Sequence, residues 1–334
     1  MSSRLTQDDA RALALELTRG TSDPVVRLRL ARDVLRGSAG EERVDAARRE
    51  VDTSIHVERL IAEQRPDGGW GRLHSRDTSS RSAVPTTEWA VERALALGLD
   101  ARHPILAKAV RYLADVLAGR AVPPDPPERN DRWTTGLQLF AASALARIEP
   151  GHEALDVPWR LWQEIARRTL SDGSYDAAAE AEAHHALTGA TVTGSYLVLS
   201  NRYTLALLAA RAADLPDGLA ASLVRWIWRK PDGIGCYGVP VSAPVQTPDS
   251  GAGERWFLSH ELLAGFSVAG MATAPLADAL AERRRPDGLW DFGPRAAWSW
   301  ALPLSESWRR RDARAVDWTV RVLALLGAWR TRTA

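Results

Sequence analysis

Glu180 and His184 stand four residues apart in AEAEAHHALTG (179–189), with Glu182 and His185 beside them. On a helix that spacing puts a carboxylate and an imidazole on one face. There the carboxylate could orient the ring, or both could join a third ligand on a metal. The same residues equally suit a solvated helix face or a capped helix end. A second resource is aromatic: the chain has 14 Trp against 4 Phe and 5 Tyr. Trp anchors helix packing, and it can also line a cavity. Cys236 is the single cysteine, which excludes an internal disulfide and fits a reducing compartment.

Composition bounds the setting for this chemistry. With 334 residues, 45% apolar and 25% charged, the chain can bury a sizeable core. A net charge of +1 argues against a dedicated nucleic-acid surface. The 43 basic residues include only two lysines, Lys108 and Lys230, a bias that points to a GC-rich bacterial genome. The first twenty residues carry Asp and Arg throughout, so no apolar signal core is present, and no transmembrane segment is expected. Cytoplasmic placement follows as the expectation.

Helical spacing dominates the elements that must position these groups. DPVVRLRLARDVLRG predicts a helix with Asp23 as cap and Pro24 at its first position, stopping at Gly37. ARALALELTRG predicts one closed by Gly20, and TTEWAVERALALG one capped by Thr86 or Thr87 and ended by Gly98. About twelve helices are expected in all, and GATVTGSYLVL reads as a loop running into a helix. RLHSRDTSSRSAVP, RAVPPDPPERND, YGVPVSAPVQTPDSGAGE and DFGPRAAWSWALPLSESWRRRD are long loops, a length uncommon unless the loop covers a site.

Four of the connections look alike. QRPDGGW (64–70), TLSDGSY (169–175), RKPDGIG (229–235) and RRPDGLW (284–290) each place an Asp-Gly turn after a helix and before an aromatic or its remnant. The turns are 105, 60 and 55 residues apart, an array of helix pairs with a period near 50. QRPDGGWGR followed by TTEWAVERALALG resembles the repeat of squalene and hopene cyclases and of the β subunits of protein prenyltransferases. Gln64, Gly68 and Trp70 match its core; Arg284, Gly288 and Trp290 match with Arg in place of Gln. The resemblance spans roughly residues 55–329, and only the first copy is a specific match. It implies an all-α fold, an α/α toroid of alternating inner and outer helices. In it the turns are staples, Trp70 stacks on the Gln64 amide, and ligands sit in the central cavity. Residues 1–52, rich in Arg, Asp and Glu, read as extra helices packing outside it or making a homodimer contact, and residues 53–330 as the toroid itself.

The resemblance also implies where to look for a site: in the loops and at the inner-helix starts. His74, Trp89, Trp133, Tyr196, Tyr203, Trp256, His260, Trp298, Trp300 and Trp308 are the candidate substrate contacts. A terpene-cyclase-like enzyme would protonate an alkene of an apolar isoprenoid with a strong general acid. It would then hold the carbocation on aromatic faces while the chain cyclises or isomerises. The cyclases' Asp-x-Asp-Asp motif is absent, as is Asp-Asp-x-x-Asp, so Asp77, Asp131, Glu182 or Glu306 would serve, beside His184 or His185. Three alternatives stand. In a zinc site of prenyltransferase type, Cys236 and His260 would be ligands, but Ile234 occupies the position where that family has Asp. A sugar-processing toroid would stack rings on Trp. A non-catalytic protein would bind an apolar ligand or partner. No cofactor and no metal are implied by the motifs present. Specificity is expected in RLHSRDTSS and DPPERNDRW, long loops over a rigid scaffold.

Overall fold

The computed structural model describes residues 5–35, 38–191, 196–245, 250–266, 272–294 and 299–330. Among them are fourteen α-helices and no strand of a sheet, only isolated bridges such as Gly71 to Thr86. The helices are α1 (Gln7–Gly20), α2 (Pro24–Arg29), α3 (Ser38–Glu50), α4 (Ile55–Glu63), α5 (Thr87–Ala96), α6 (Pro104–Leu117) and α7 (Trp133–Ile148). They continue with α8 (Asp156–Thr169), α9 (Ala177–Thr188), α10 (Arg202–Ala210), α11 (Leu219–Arg229), α12 (Ser250–Leu263), α13 (Ala274–Glu282) and α14 (Arg311–Arg330).

Local signals set the helix ends. The Asp23 carboxylate accepts from the N–H groups of Val25 and Val26, with Pro24 at the first helical position as its fixed φ favours. Between the two candidates at the start of α5, Thr86 is the cap, and its hydroxyl accepts from Trp89 N. Gly20 is the last residue of α1 rather than its cap; Thr21, in extended conformation, turns the chain. The helix begun at Pro24 does not run on as α: residues Leu30–Val34 continue it as a π-helix, and Gly37 lies outside the described residues.

Packing follows chain order. α5 lies on α7, α7 on α10, α10 on α12 and α12 on α14, while α4, α6 and α8 back this series and α11 packs on α8. Val25, Val26, Leu28 and Leu30 from the N-terminal segment are fully buried, and α2 and its π-helical extension pack on α14. Arg29 of the same segment donates to the last carbonyl of α5, Ala96 O. One continuous apolar core runs from Ala10 to Trp329. N-terminal and C-terminal elements thus share a core with the repeats.

The first and fourth Asp-Gly turns are built alike. Trp70 and Trp290 are both fully buried, and each indole N–H donates 2.7 Å to a carbonyl ten residues back, Leu60 or Leu280. Each Trp backbone N–H donates to a threonine hydroxyl on a later helix, Thr87 of α5 at 2.9 Å and Thr319 of α14 at 3.0 Å. The Gln64 amide donates to Gly68 O at 2.9 Å and to Ile105 O at 2.8 Å. In the fourth copy the Arg284 guanidinium makes the corresponding bond to Gly288 O at 2.7 Å and lies 5.4 Å over the Trp290 ring. Asp67 closes its turn by accepting from Gly69 N at 2.9 Å. Gly68 has φ +98°, and a Cβ there would sit 2.4 Å from Lys108 O, so this turn needs glycine twice over.

Candidate functional site

Two hollows meet α5, with Trp300 in the wall of both. The first, of about 610 Å³, opens beside the start of α5. Its walls are Trp89, Trp300, Pro85, Leu302 and Pro303, its cationic groups are Arg59, Arg76 and Arg93, and the imidazoles of His56 and His74 also line it. Among the described residues no Asp or Glu lines it. We call it the aromatic chamber. The second, of about 400 Å³, is lined by residues of α5, α7, α10, α12 and α14, with Arg29, Arg32, Arg147 and Arg321 and the carboxylates of Glu92 and Glu261 among alanines.

His74 owes its position to a distant loop. Asp125, in RAVPPDPPERND, accepts from the backbone N–H groups of Leu73 (2.5 Å), His74 (3.0 Å) and Ser75 (2.8 Å). The His74 ring stacks on Phe140 of α7, with centroids 3.6 Å apart, and Tyr196 and Tyr203 complete the cluster. His74 Nδ1 is 2.8 Å from Glu88 Oε2, and the other Glu88 oxygen pairs with Arg202. Arg202 lies 4.2 Å over Tyr203 and 4.9 Å over Trp300, and 3.7 Å from Glu92, which also pairs with Arg147 at 3.0 Å. A chain of alternating charge therefore runs from the aromatic chamber to the arginine chamber. Burial, with the Arg202 charge second, lowers the His74 pKa to about 4. At neutral pH the ring is uncharged, and one that donates Nδ1–H to Glu88 keeps its lone pair on Nε2.

The remaining sequence candidates separate. Glu182, His185, Glu306 and Asp131 are exposed and line neither hollow. Asp131 accepts from Thr191, and Glu306 accepts from Ile55 N. Asp77 accepts from Ser79 at the surface and lies 3.5 Å from Arg72. The Glu180–His184 spacing does not make a dyad. Glu180 accepts from Tyr175 OH (2.6 Å) and Leu199 N (2.6 Å), and buried His184 packs edge-on to Trp162 without a hydrogen-bond partner. Burial lowers the His184 pKa to about 4.

Trp256 and His260 sit in a different cluster, 4.1 Å apart, with Trp228 and Trp329 around the imidazole. Complete burial takes His260 to about 3. Cys236, by contrast, is exposed at φ +73° beside Asn201, and no group of three metal-ligating side chains is gathered among the described residues. Trp308 is buried against Trp318, Trp133 is half-buried at the start of α7, and Trp298 lies outside the described residues. No described helix is long and apolar enough to cross a membrane.

Glu88, Glu92, Arg147 and Arg202 organise the interior, and sequence reasoning gave them little weight. Their signal was present: Glu88 and Glu92 are four apart on an otherwise apolar face of α5, and Arg202 heads the apolar run of α10. Charged residues on faces that must be buried imply partners. No family model, no curated protein and no solved structure matches the chain.

Proposed function

We propose that this chain is a terpene-cyclase-like enzyme on an α/α toroid, and that it takes an isoprenoid with an anionic head into the aromatic chamber. Two findings support the toroid: the unbroken packing of α5, α7, α10, α12 and α14, and the like construction of the Trp70 and Trp290 turns. One observation carries the substrate class. The chamber joins two Trp walls to a rim of His56, Arg59 and Arg76, and no carboxylate among the described residues lines it.

The chemistry this lining favours starts without a protein acid. Acid-initiated cyclisation needs a carboxyl held protonated in the chamber. Asp317, which burial pushes up to about 7, instead accepts from Leu304 N and Ser305 N behind the loop that carries Trp300. An isoprenoid diphosphate brings its own leaving group: heterolysis of its C–O bond gives an allylic cation and a diphosphate anion. Guanidinium groups at the rim would take the anion, the faces of Trp89 and Trp300 would hold the cation, and neutral His74 would remove the final proton.

The experiment is product analysis by mass spectrometry after incubation with linear isoprenoids, neutral and diphosphate-bearing, with Mg²⁺ and with chelator. Loss of diphosphate with a new hydrocarbon, abolished by His74→Asn, is the expected result. A cyclic isomer from a neutral isoprenoid would restore the acid-initiated route. Tight binding with no conversion would make the chain a carrier of the same ligand.

A further inference from the structure

The arginine chamber is a hollow that the proposed reaction does not use. Its walls come from the second halves of α5, α7, α10 and α12, from Arg321 in the middle of α14, and from Arg29 and Arg32. Ala96, Ala146, Ala206, Ala209, Ala210, Ala301 and Gly265 leave the space open where larger side chains would close it. The hollow opens to solvent, and these small side chains leave room between the guanidinium groups for a ligand.

Charge and hydrogen bonding say what kind of ligand. Arg29 and Arg32 both clamp Asp33, Arg147 pairs with Glu92, and Arg321 grips Glu261 through Nε and Nη2, both at 3.0 Å. Four guanidinium groups thus face three carboxylates, leaving one positive charge in excess. The Arg321 side chain is 2% exposed, yet its Nη1 is buried with no hydrogen-bond partner. A guanidinium is always charged, and an unmade hydrogen bond from it in a buried site is costly. Neutralising helix C-termini accounts for Arg29, which donates to Ala96 O, and Arg147 stands in the last turn of α7. Arg321 lies mid-helix instead, its guanidinium 5.2 Å over the Phe257 ring and 5.5 Å over Trp318, and neither ring takes up the Nη1 donor.

We infer that the arginine chamber is a binding site for a small oxyanion, a phosphate or carboxylate group held by Arg321 with Arg147 and Arg32. A planar guanidinium fork matches either group, and the volume admits a small metabolite rather than a polymer. The inference does not depend on the isoprenoid reading, because no residue but Trp300 is common to the two chambers.

The test is calorimetric titration with inorganic phosphate and with citrate, on the full chain and on three variants. Ala206→Leu keeps every charge and fills the hollow; it should fold at least as well as the parent and lose binding. Arg321→Gln removes the unpartnered donor and should weaken binding about tenfold or more, the scale of one charge-assisted hydrogen bond. The paired rim variant Arg59→Ala/Arg76→Ala, which takes away the anion-binding rim of the aromatic chamber, is the background for both substitutions and should itself still bind. Phosphate against citrate separates the two anion sources. Absence of heat with both anions would overturn the inference, as would binding that survives Ala206→Leu or disappears with the rim variant. If Arg321→Gln fails to fold, Ala206→Leu alone decides.

Discussion

At the scale of single residues, buried titratable groups give the molecule two opposed responses to pH. His74 and His184 are lowered to about 4 and His260 to about 3, in each case chiefly by burial, from an ordinary value of 6.5. On acidification the unfolded chain takes up these protons first. The stability they contribute is therefore complete above pH 6.5 and is lost as pH falls toward 4 and then 3. Asp317 runs the other way: raised from 3.8 to about 7, its contribution is complete below 3.8 and is lost as pH rises to 7. Asp23 and Glu180 are raised by burial as well, but the three imidazoles, joined by the lowered carboxyls of Asp33, Asp67 and Asp291, outweigh them, so the melting temperature should fall between pH 6.5 and 4; a rising profile would refute the burial of these rings. Asp317→Asn isolates the opposing group, because an amide oxygen can still accept from Leu304 N and Ser305 N. The variant should match the parent near pH 4 and melt higher than it above pH 7. Equal melting at both would mean that Asp317 ionises normally.

At the scale of elements, the turns were the most legible feature and the interior charges the least. Thr86, Asp23 and Trp70 act within a few residues or one helix of their own position, so residue type and spacing suffice to place them. Arg202 meets Glu88 across 114 residues, and Asp125 meets His74 across 51, distances at which no local pattern speaks. The same reasoning explains the acid candidates: Asp77 and Glu306 stand in long loops, but length does not say which way a loop faces. Arg284 shows how function within a turn can be conserved through different chemistry, since its guanidinium makes the bond that the Gln64 amide makes in the first copy. Arg284→Gln should change stability by under about 0.5 kcal/mol. Trp290→Phe removes the indole donor to Leu280 O and should cost about 1–3 kcal/mol. Gly68→Ala brings a Cβ against Lys108 O at positive φ and should cost more than about 1 kcal/mol. Urea titrations of the three variants would check that order; an Arg284→Gln loss as large as that of Trp290→Phe would show that the two turns are not equivalent.

At the scale of the whole molecule, the N-terminal helices are structural parts of the core rather than an appendage. Leu28 packs within reach of Gly98, Arg29 holds the end of α5, and Glu306 N donates to the Asp23 carboxylate that caps α2. A chain beginning at Ser54 should give no cooperative melt by circular dichroism; a sharp transition near that of the full chain would show the segment to be dispensable. The same bonds join the two ends of the sequence: Asp23 to Glu306, Arg93 to the Trp300 and Pro303 carbonyls, Arg330 to Leu5 O. During synthesis Asp23 waits for a partner 283 residues later in the chain. Until the ribosome has released α14, the part of α2 and its π-helical extension that packs on α14 stays uncovered. Contacts so distant in sequence close slowly and leave sticky surface open meanwhile. The nascent protein should depend on chaperone holding for the length of its translation, and refolding from denaturant should succeed only when dilute.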